Sequence, residues 1–326
     1  MKFLITGGAG FIGSHLAEEL SKKKINQVII IDNLSTGRIE NIKNFIKKIN
    51  FIKADISKKG KWQNSFKKVD FVFHLAALAD IVPSIDNPEV YYESNVTGTL
   101  NVLEACKKYN VKKLIYAASS SCYGIPKNYP TKETEKINPI FPYAVTKYLA
   151  EKLIIYWSRI YKINFISLRL FNVYGPRSRT TGTYGAMFGV FLAQKLANKP
   201  YTLVGTGKQS RDFTYVSDVV NAFIKATIFK VRNKIFNVGS NKTVSVKQII
   251  KYLGGSWVNI PKRPGEPDIT YANISYIKKF LKWTPKIKIQ TGINLMLKNI
   301  NYWKHAPVWS PKKIEKATRS WFKYLK

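Results

Sequence analysis

The 326 residues carry 54 Lys and Arg against 19 Asp and Glu, a formal net charge of +35, and because Arg stands at only nine positions the excess is almost entirely lysine. A composition that is 45% hydrophobic and 13% aromatic belongs to a folded chain and excludes disorder driven by charge. Single hydrophobic cores stop growing near ~250–300 residues, so a chain of this length is expected to form two lobes.

In the first half, five short runs rich in Val, Ile and Phe read as buried strands: 2–6, 27–31, 50–54, 70–75 and 113–118. Helical stretches at 11–23, 39–48, 58–66 and 88–109 lie between them. This alternation predicts an α/β fold, a doubly wound parallel sheet with helices on both faces. A helix over 143–161 and a strand over 164–169 continue it. After Asn172 a loop over 173–183, rich in Gly, Pro, Ser and Thr, breaks the rhythm, and a smaller mixed α/β lobe is expected. The division read from the pattern is 1–172 for the sheet domain, with 213–238 returning a helix and a strand to it, and 173–212 with 239–306 for the lobe. A C-terminal helix over 307–326 completes it. Ser310 as N-cap, Pro311 at the first helical position, and Ile314, Ala317, Trp321, Phe322 and Leu325 at helical spacing give that helix an apolar stripe that packs on its own protein.

The net charge raises nucleic acid as a partner, because clustered basic side chains release counterions from phosphates. Clustering is what the sequence lacks. Lysines come in short runs such as Lys22-Lys23-Lys24 and Lys112-Lys113, scattered along the chain, and read as solvated helix faces with no specific nucleic-acid partner. Cys106 and Cys122 form no CxxC pair and no disulfide framework, which suits a reducing cytoplasm and predicts no metal site. No window of 18 apolar residues appears, and glycines interrupt the first apolar run, so neither a membrane span nor a signal peptide is expected.

The first strand runs into Thr6-Gly7-Gly8-Ala9-Gly10-Phe11-Ile12-Gly13 and then a helix. Gly7 permits the tight turn, Gly10 clears the approach of a pyrophosphate, and Gly13 lets the helix pack on the strand, while the helix N-terminus offers N–H groups to the anion. Asp32 ends the second strand. A carboxylate there accepts bonds from an adenosine ribose and repels a 2′-phosphate, which favours NAD over NADP. Asp55, followed by Ile56, is placed to meet the adenine. His74-Leu75-Ala76-Ala77 closes the fourth strand with small residues where a cofactor passes, and His74 itself reads as a satisfied core histidine. Tyr143 and Lys147 lie four apart on one helix face. A phenol acts as a base at neutral pH only if its anion is stabilised by about three pKa units, roughly 4 kcal/mol, and a lysine cation with a positively charged nicotinamide ring supplies that between them. Ser119, Ser120 and Ser121 follow the fifth strand, at the end of the sheet where ligands gather.

With these residues the chain resembles the extended short-chain dehydrogenase/reductase family and, within it, the nucleotide-sugar epimerases and dehydratases. The resemblance spans nearly the whole sequence: TGGAGFIG at 6–13, Asp32-Asn33, HLAA at 74–77, Asn95 in SNVTGT, SSSCYG, the Tyr143/Lys147 pair, RLFNVYGPR at 169–177, RDFTYVSD at 211–218, FNVGS at 236–240 and RPGEP at 263–267. It implies a Rossmann domain holding NAD, to which Asn33 and Asn95 also contribute. It further implies a Ser119 that bonds the sugar 4-hydroxyl beside Ser120 and Ser121, Tyr143 as base, and Lys147 on the nicotinamide ribose. Asn172 falls to the diphosphate region, Thr202 to Val204 to the nucleotide base, Arg211 and Arg263 to the diphosphate, and Glu266 to the nucleotide ribose. Arginine suits that work, since its planar fork matches paired phosphate oxygens. Dehydratases of the family carry an acid two residues before the Tyr of the YG motif, where this chain has Ser121. That points to a 4-epimerase of a UDP-sugar, with a dehydratase or decarboxylase as the alternative. Thr270 is small where epimerases restricted to plain hexoses carry Tyr, and the loop from Gly182 to Met187 resembles that of epimerases of N-acetylated sugars. Phe213, at a position often Tyr, and the tail after Ala306 depart from the family pattern. A non-catalytic NAD-binding regulator would have lost Tyr143 and Lys147, and an RNA-binding role would rest on the lysines alone. The family often dimerises through helices near 88–109 and 143–161, so a homodimer is expected.

Overall fold

The computed structural model describes residues 1–178 and 187–325. The expected loop of 173–183 therefore lies partly, and the Gly182 to Met187 segment almost wholly, outside the described residues. The chain folds as strands β1 (Lys2–Thr6), β2 (Gln27–Asp32), β3 (Asn50–Lys53), β4 (Phe71–His74), β5 (Lys113–Ser119), β6 (Phe165–Leu170), β7 (Asn172–Tyr174), β8 (Tyr201–Val204), β9 (Ser210–Arg211), β10 (Phe213–Tyr215), β11 (Lys234–Val238), β12 (Val244–Ser245), β13 (Trp257–Ile260) and β14 (Ile269–Thr270). The helices are α1 (Phe11–Ser21), α2 (Ile81–Asp86), α3 (Pro88–Tyr92), α4 (Gly98–Lys108), α5 (Pro142–Tyr161), α6 (Met187–Leu196), α7 (Val216–Ile228), α8 (Val246–Leu253), α9 (Ser275–Leu281), α10 (Ile289–Lys298), α11 (Pro311–Ala317) and α12 (Arg319–Tyr324).

Among the described residues, seven strands form the main sheet in the order β11-β6-β5-β4-β1-β2-β3, and every pairing in it is parallel. The order reverses between β1 and β4, which opens a crevice at the strand ends there. Alternate residues feed two cores, as the pleat requires. Phe3 and Ile5 enter the larger one with α1 and α7, while Leu4, Ile29 and Ile31 enter the other with α4 and α5. The central strands are buried on both faces, which is why they read as unbroken apolar runs. β3 is the exception, an edge strand with exposed ends rather than a buried one.

Several expected helices differ. The 39–48 segment is two 3₁₀ turns, Ile39–Asn41 and Lys43–Lys48, and it buries Ile42 at their junction and Phe45 three positions later, the spacing of a 3₁₀ turn. The 58–66 segment keeps only the 3₁₀ turn Lys61–Phe66. The 88–109 helix divides into α3, a π turn over Glu93–Thr97 and α4, because Asn95 is pulled to the backbone of Leu78. α2, preceding it, had been hidden by Pro83 within its pattern. The C-terminal segment is two short helices, α11 and α12, meeting at Thr318, whose side chain turns back to the Ile314 carbonyl. The break buries Ile314 and Trp321 but turns Phe322 outward.

The second lobe holds a three-stranded sheet, β12-β9-β14, and the parallel pair β13-β8, while β10 and β7 pair beside the main sheet. On β6, Arg169 makes a forked, buried ion pair with Glu151 on α5, at 2.7 Å. Arg169 also donates to the Tyr123 hydroxyl, which in turn donates to Asn237 on β11. Every polar group of this chain of bonds thus has a partner away from water, the condition for burying a charge pair.

Candidate active site

At the crevice, Gly7 has φ of +71°, and a Cβ there would lie 2.7 Å from the Ala76 amide nitrogen. A Cβ on Gly13 would collide with the Gly7 carbonyl oxygen. The turns after β1 and β4 therefore touch backbone to backbone, fixed further by the Ala76 N–H on Thr6 Oγ1 and the Leu75 N–H on the Thr6 carbonyl. No side chain caps α1, so its first N–H groups are left for an anion, with Phe11 and Ile12 in its first turn. Asp32 accepts from the amides of Ala9 and Leu34, which ties the Gly-rich turn to the end of β2 and leaves lone pairs for a ribose. Burial raises its pKa against those two bonds. Asn33 donates to Asp55, so the two expected adenosine residues stand together. Ile56 is different, since its side chain is buried in the second core beneath Gly98. These residues fit a dinucleotide, with a backbone cradle that a Cβ would fill and a carboxylate at its far end.

His74 is buried between the hydroxyls of Thr6 and Thr99, at 2.7 and 2.8 Å. Burial lowers its pKa to about 3, so it is a neutral core histidine, as read from the sequence. Asn95 was expected to face the cofactor directly. Both N–H groups of its amide are instead used within the protein, on the Leu78 carbonyl and Thr146 Oγ1, so it clips the passing loop to α5.

The catalytic candidates converge where β5 ends. Ser119 and Ser121 hydroxyls lie 2.7 Å apart and stand beside the half-buried Tyr143 phenol. Burial raises the phenol's pKa, and the two serines only partly oppose it. One helical turn on, Lys147 sits with its Nζ 4.3 Å from the centre of the Tyr116 ring. Burial lowers its pKa to about 7, with Glu151 pulling the other way. The protein groups alone therefore leave the phenol's pKa raised; the expectation joined the Lys147 cation with a positively charged nicotinamide ring, which only bound NAD supplies. Tyr116 and Glu151 belong to this cluster and escaped the sequence reading. Glu151, four residues after Lys147, carried the usable signal of an i,i+4 pair.

The second lobe gathers the remaining candidates. β9 and β14 pair with Arg211 opposite Thr270, and the Thr270 hydroxyl donates to Asn172 Oδ1 at 2.7 Å. Glu266 binds Arg211 at 2.9 Å and Arg263 at 2.7 Å, so the acid assigned to the nucleotide ribose is held by both arginines of the diphosphate assignment. Thr202 and Val204 lie on β8, but the Thr202 hydroxyl and amide are both bonded to Gln194, which turns its side chain inward from the expected base contact. Ser120 sits half-buried between the two bonded serines in sequence. Among the described residues no group of three His, Cys, Asp or Glu side chains could hold a metal ion, and no helix is long and apolar enough to cross a membrane.

A dinucleotide cradle opening onto a phenol, two serines and a lysine defines an enzyme that uses a nicotinamide to oxidise and reduce an alcohol carbon. Residues 3–239 match the sequence model of the NAD dependent epimerase/dehydratase family, and the chain belongs to that family. Among solved structures it is similar to the UDP-glucose 4-epimerase of Thermotoga maritima with UDP-glucose, at 33% identity and a TM-score of 0.86, covering 94% of this chain and 99% of that one. It is also similar to the UDP-N-acetylglucosamine 4-epimerase of Methanobrevibacter ruminantium in complex with UDP-N-acetylmuramic acid, at 32% identity and a TM-score of 0.85, covering 91% and 98%. UDP-glucuronic acid decarboxylase 6 of Arabidopsis thaliana is 33% identical over 91% of this chain and 88% of its own. The protein is thus an NAD-dependent enzyme of the epimerase/dehydratase type acting on a nucleotide sugar, and overall likeness alone does not choose the reaction.

Proposed function

We propose that the enzyme is a 4-epimerase of a UDP-hexose or UDP-N-acetylhexosamine. The observation that carries this reading is Ser121, a hydroxyl bonded to Ser119 beside Tyr143 at the position where an eliminating enzyme needs an acid. Bound NAD supplies the hydride acceptor and donor at C4 of the sugar. Gly7, Gly10 and Gly13 leave room for its pyrophosphate on α1, Asp32 holds its adenosine ribose, and Asp55 faces its adenine. On the sugar side Ser119 holds the 4-hydroxyl, Tyr143 takes its proton, and Lys147 steadies the resulting phenolate. No carboxylate stands at Ser121 to protonate a leaving hydroxyl. The keto sugar therefore turns its other face, and the same phenol returns the proton to the inverted alcohol.

Arg211, Arg263 and Asn172 take the diphosphate, with Glu266 holding the two guanidinium groups in register and meeting the nucleotide ribose. The uridine ligands of the two similar structures support a UDP-sugar, and the short Thr270 side chain beside Asn172 supports room for an N-acetyl group. The same reading takes residues 1–172 with 213–238 as the sheet domain and 173–212 with 239–306 as the lobe, and two buried free thiols suit a reducing cytoplasm. A panel of UDP-, GDP- and dTDP-sugars, followed for both products, tests the reaction. The 4-epimer of a UDP-sugar is expected, and accumulation of a 4-keto-6-deoxy sugar overturns the reading.

The same proposal includes a homodimer. Val145, Leu149, Tyr156 and Ile160 form an exposed apolar row along α5, beside exposed Val90 and Tyr92 on α3. An apolar stripe of that length is an association surface. Light scattering is expected to give twice the chain mass, falling to one chain mass in Leu149→Asp. A monomer in the unaltered protein removes this part.

A further inference from the structure

The tail that departs from the family pattern returns to the site. Trp321 on α12 is only 3% exposed, and its indole N–H donates to the Pro264 carbonyl at 2.6 Å. The Arg263 guanidinium lies over its ring, 5.1 Å from the centroid. The ring also meets Phe141 at 6.3 Å, and Phe141 stacks on Tyr143 with planes 6° apart. One indole thus touches the loop that carries Arg263 and the residue at which α5 begins. The tail has a second anchor at its start, where the Trp309 carbonyl accepts from Gln194, the same side chain that holds Thr202 on β8.

We propose that Trp321 is a positioning residue that sets the spacing between the Arg263 loop and Tyr143, and so where the sugar of a bound nucleotide sugar lies relative to the phenol. The proposal rests on the nucleotide-sugar reading of the preceding section. A flexible sugar diphosphate is held at the phosphates by arginines of one lobe and oxidised by a phenol of the other. Catalysis depends on that distance, because a misplacement of about 1 Å costs on the order of a hundredfold. The Glu266–Arg211 ion pair ties the 263–266 loop to β9, but it does not tie that loop to the start of α5. Trp321 does, through a hydrogen bond, a cation–π contact and a ring contact at once.

The test compares NAD-loaded enzyme with Trp321→Ala and Trp321→Phe, using the sugar selected by the panel. KM and kcat, Kd for UDP, NAD content and Tm are read together. In Trp321→Ala, KM and the UDP Kd are expected to rise about tenfold and kcat to fall about tenfold, with NAD content unchanged. In Trp321→Phe, which keeps a ring but loses the bond to Pro264, KM is expected to rise about threefold with kcat within about twofold. Values within about twofold of the unaltered enzyme in Trp321→Ala overturn the proposal. So does a parallel fall of kcat and NAD content at constant KM, which marks a merely structural role. If Trp321→Ala fails to fold, Trp321→Phe decides, and an unchanged KM there overturns it. Failure of the underlying reading shows separately, as an unaltered enzyme that neither binds UDP nor turns over any sugar of the panel.

Discussion

Tyr143→Phe is expected to lower kcat by at least about a thousandfold, while the purified protein keeps its NAD and binds UDP-sugar as before. The substitution removes one oxygen from a position whose surroundings survive. Ser119 and Ser121 still bond to each other at 2.7 Å, and the ring still stacks on Phe141. What disappears is the group that takes the proton from the 4-hydroxyl and returns it. Because burial holds the phenol above its ordinary pKa in the protein alone, the deprotonated form exists only when further positive charge enters the site. Rates and bound NAD measured on the same preparation check this, and residual turnover above about a tenth of normal would sink Tyr143 as the base.

Lys147→Met is expected to lower kcat by about a hundredfold and at the same time to raise the Tm of the ligand-free protein by at least about 4 °C at pH 6. Burial depresses the ammonium pKa to about 7 from an ordinary value of 10.5. Between those two values the unfolded chain holds a proton that the folded chain does not, so stability rises with pH across that window. Below about pH 7 the lysine is charged in both states and its burial cost, on the order of a few kcal/mol, is present in full. Methionine carries no such cost. The gain of the variant is therefore largest at pH 6 and shrinks towards pH 10. A gain that is absent at pH 6, or equal at both pH values, contradicts the burial argument. The lysine is retained for chemistry against stability, which is a common bargain at reacting groups.

What the sequence made legible follows from how local each signal is. Strand β1, the glycine turn and α1 are contiguous, and Gly7, Gly10 and Gly13 answer to contacts within a few residues or with the β4 turn, so the cradle could be read directly. Tyr143 and Lys147 share a helix face, and their pairing needs only helical geometry. Asn95 and Thr202 were placed in the right neighbourhoods, but their side-chain bonds go to Leu78, Thr146 and Gln194, partners that only the folded chain brings near. The 39–48 and 58–66 segments failed as α-helices because packing against the sheet selected a tighter turn over weak propensity. Trp321 lay in a stripe correctly read as packing on its own protein. Nothing in a 3.6-residue period could say that it packs on Pro264 and Phe141, from segments far apart in the chain.

The place of β11 has a consequence for how the protein is made. β6 runs Phe-Ile-Ser-Leu-Arg-Leu, is buried along its whole length, and has β5 on one side and β11 on the other. Residues 234–238 leave the ribosome long after 165–170, so for some 65 residues of synthesis β6 is the sheet's open margin, an apolar strand with unpaired backbone. The buried chain from Glu151 through Arg169 and Tyr123 to Asn237 likewise lacks its last member until then. The nascent first domain is accordingly prone to aggregate through β6, and its sheet gains its last strand only when a segment encoded beyond the first part of the second lobe arrives.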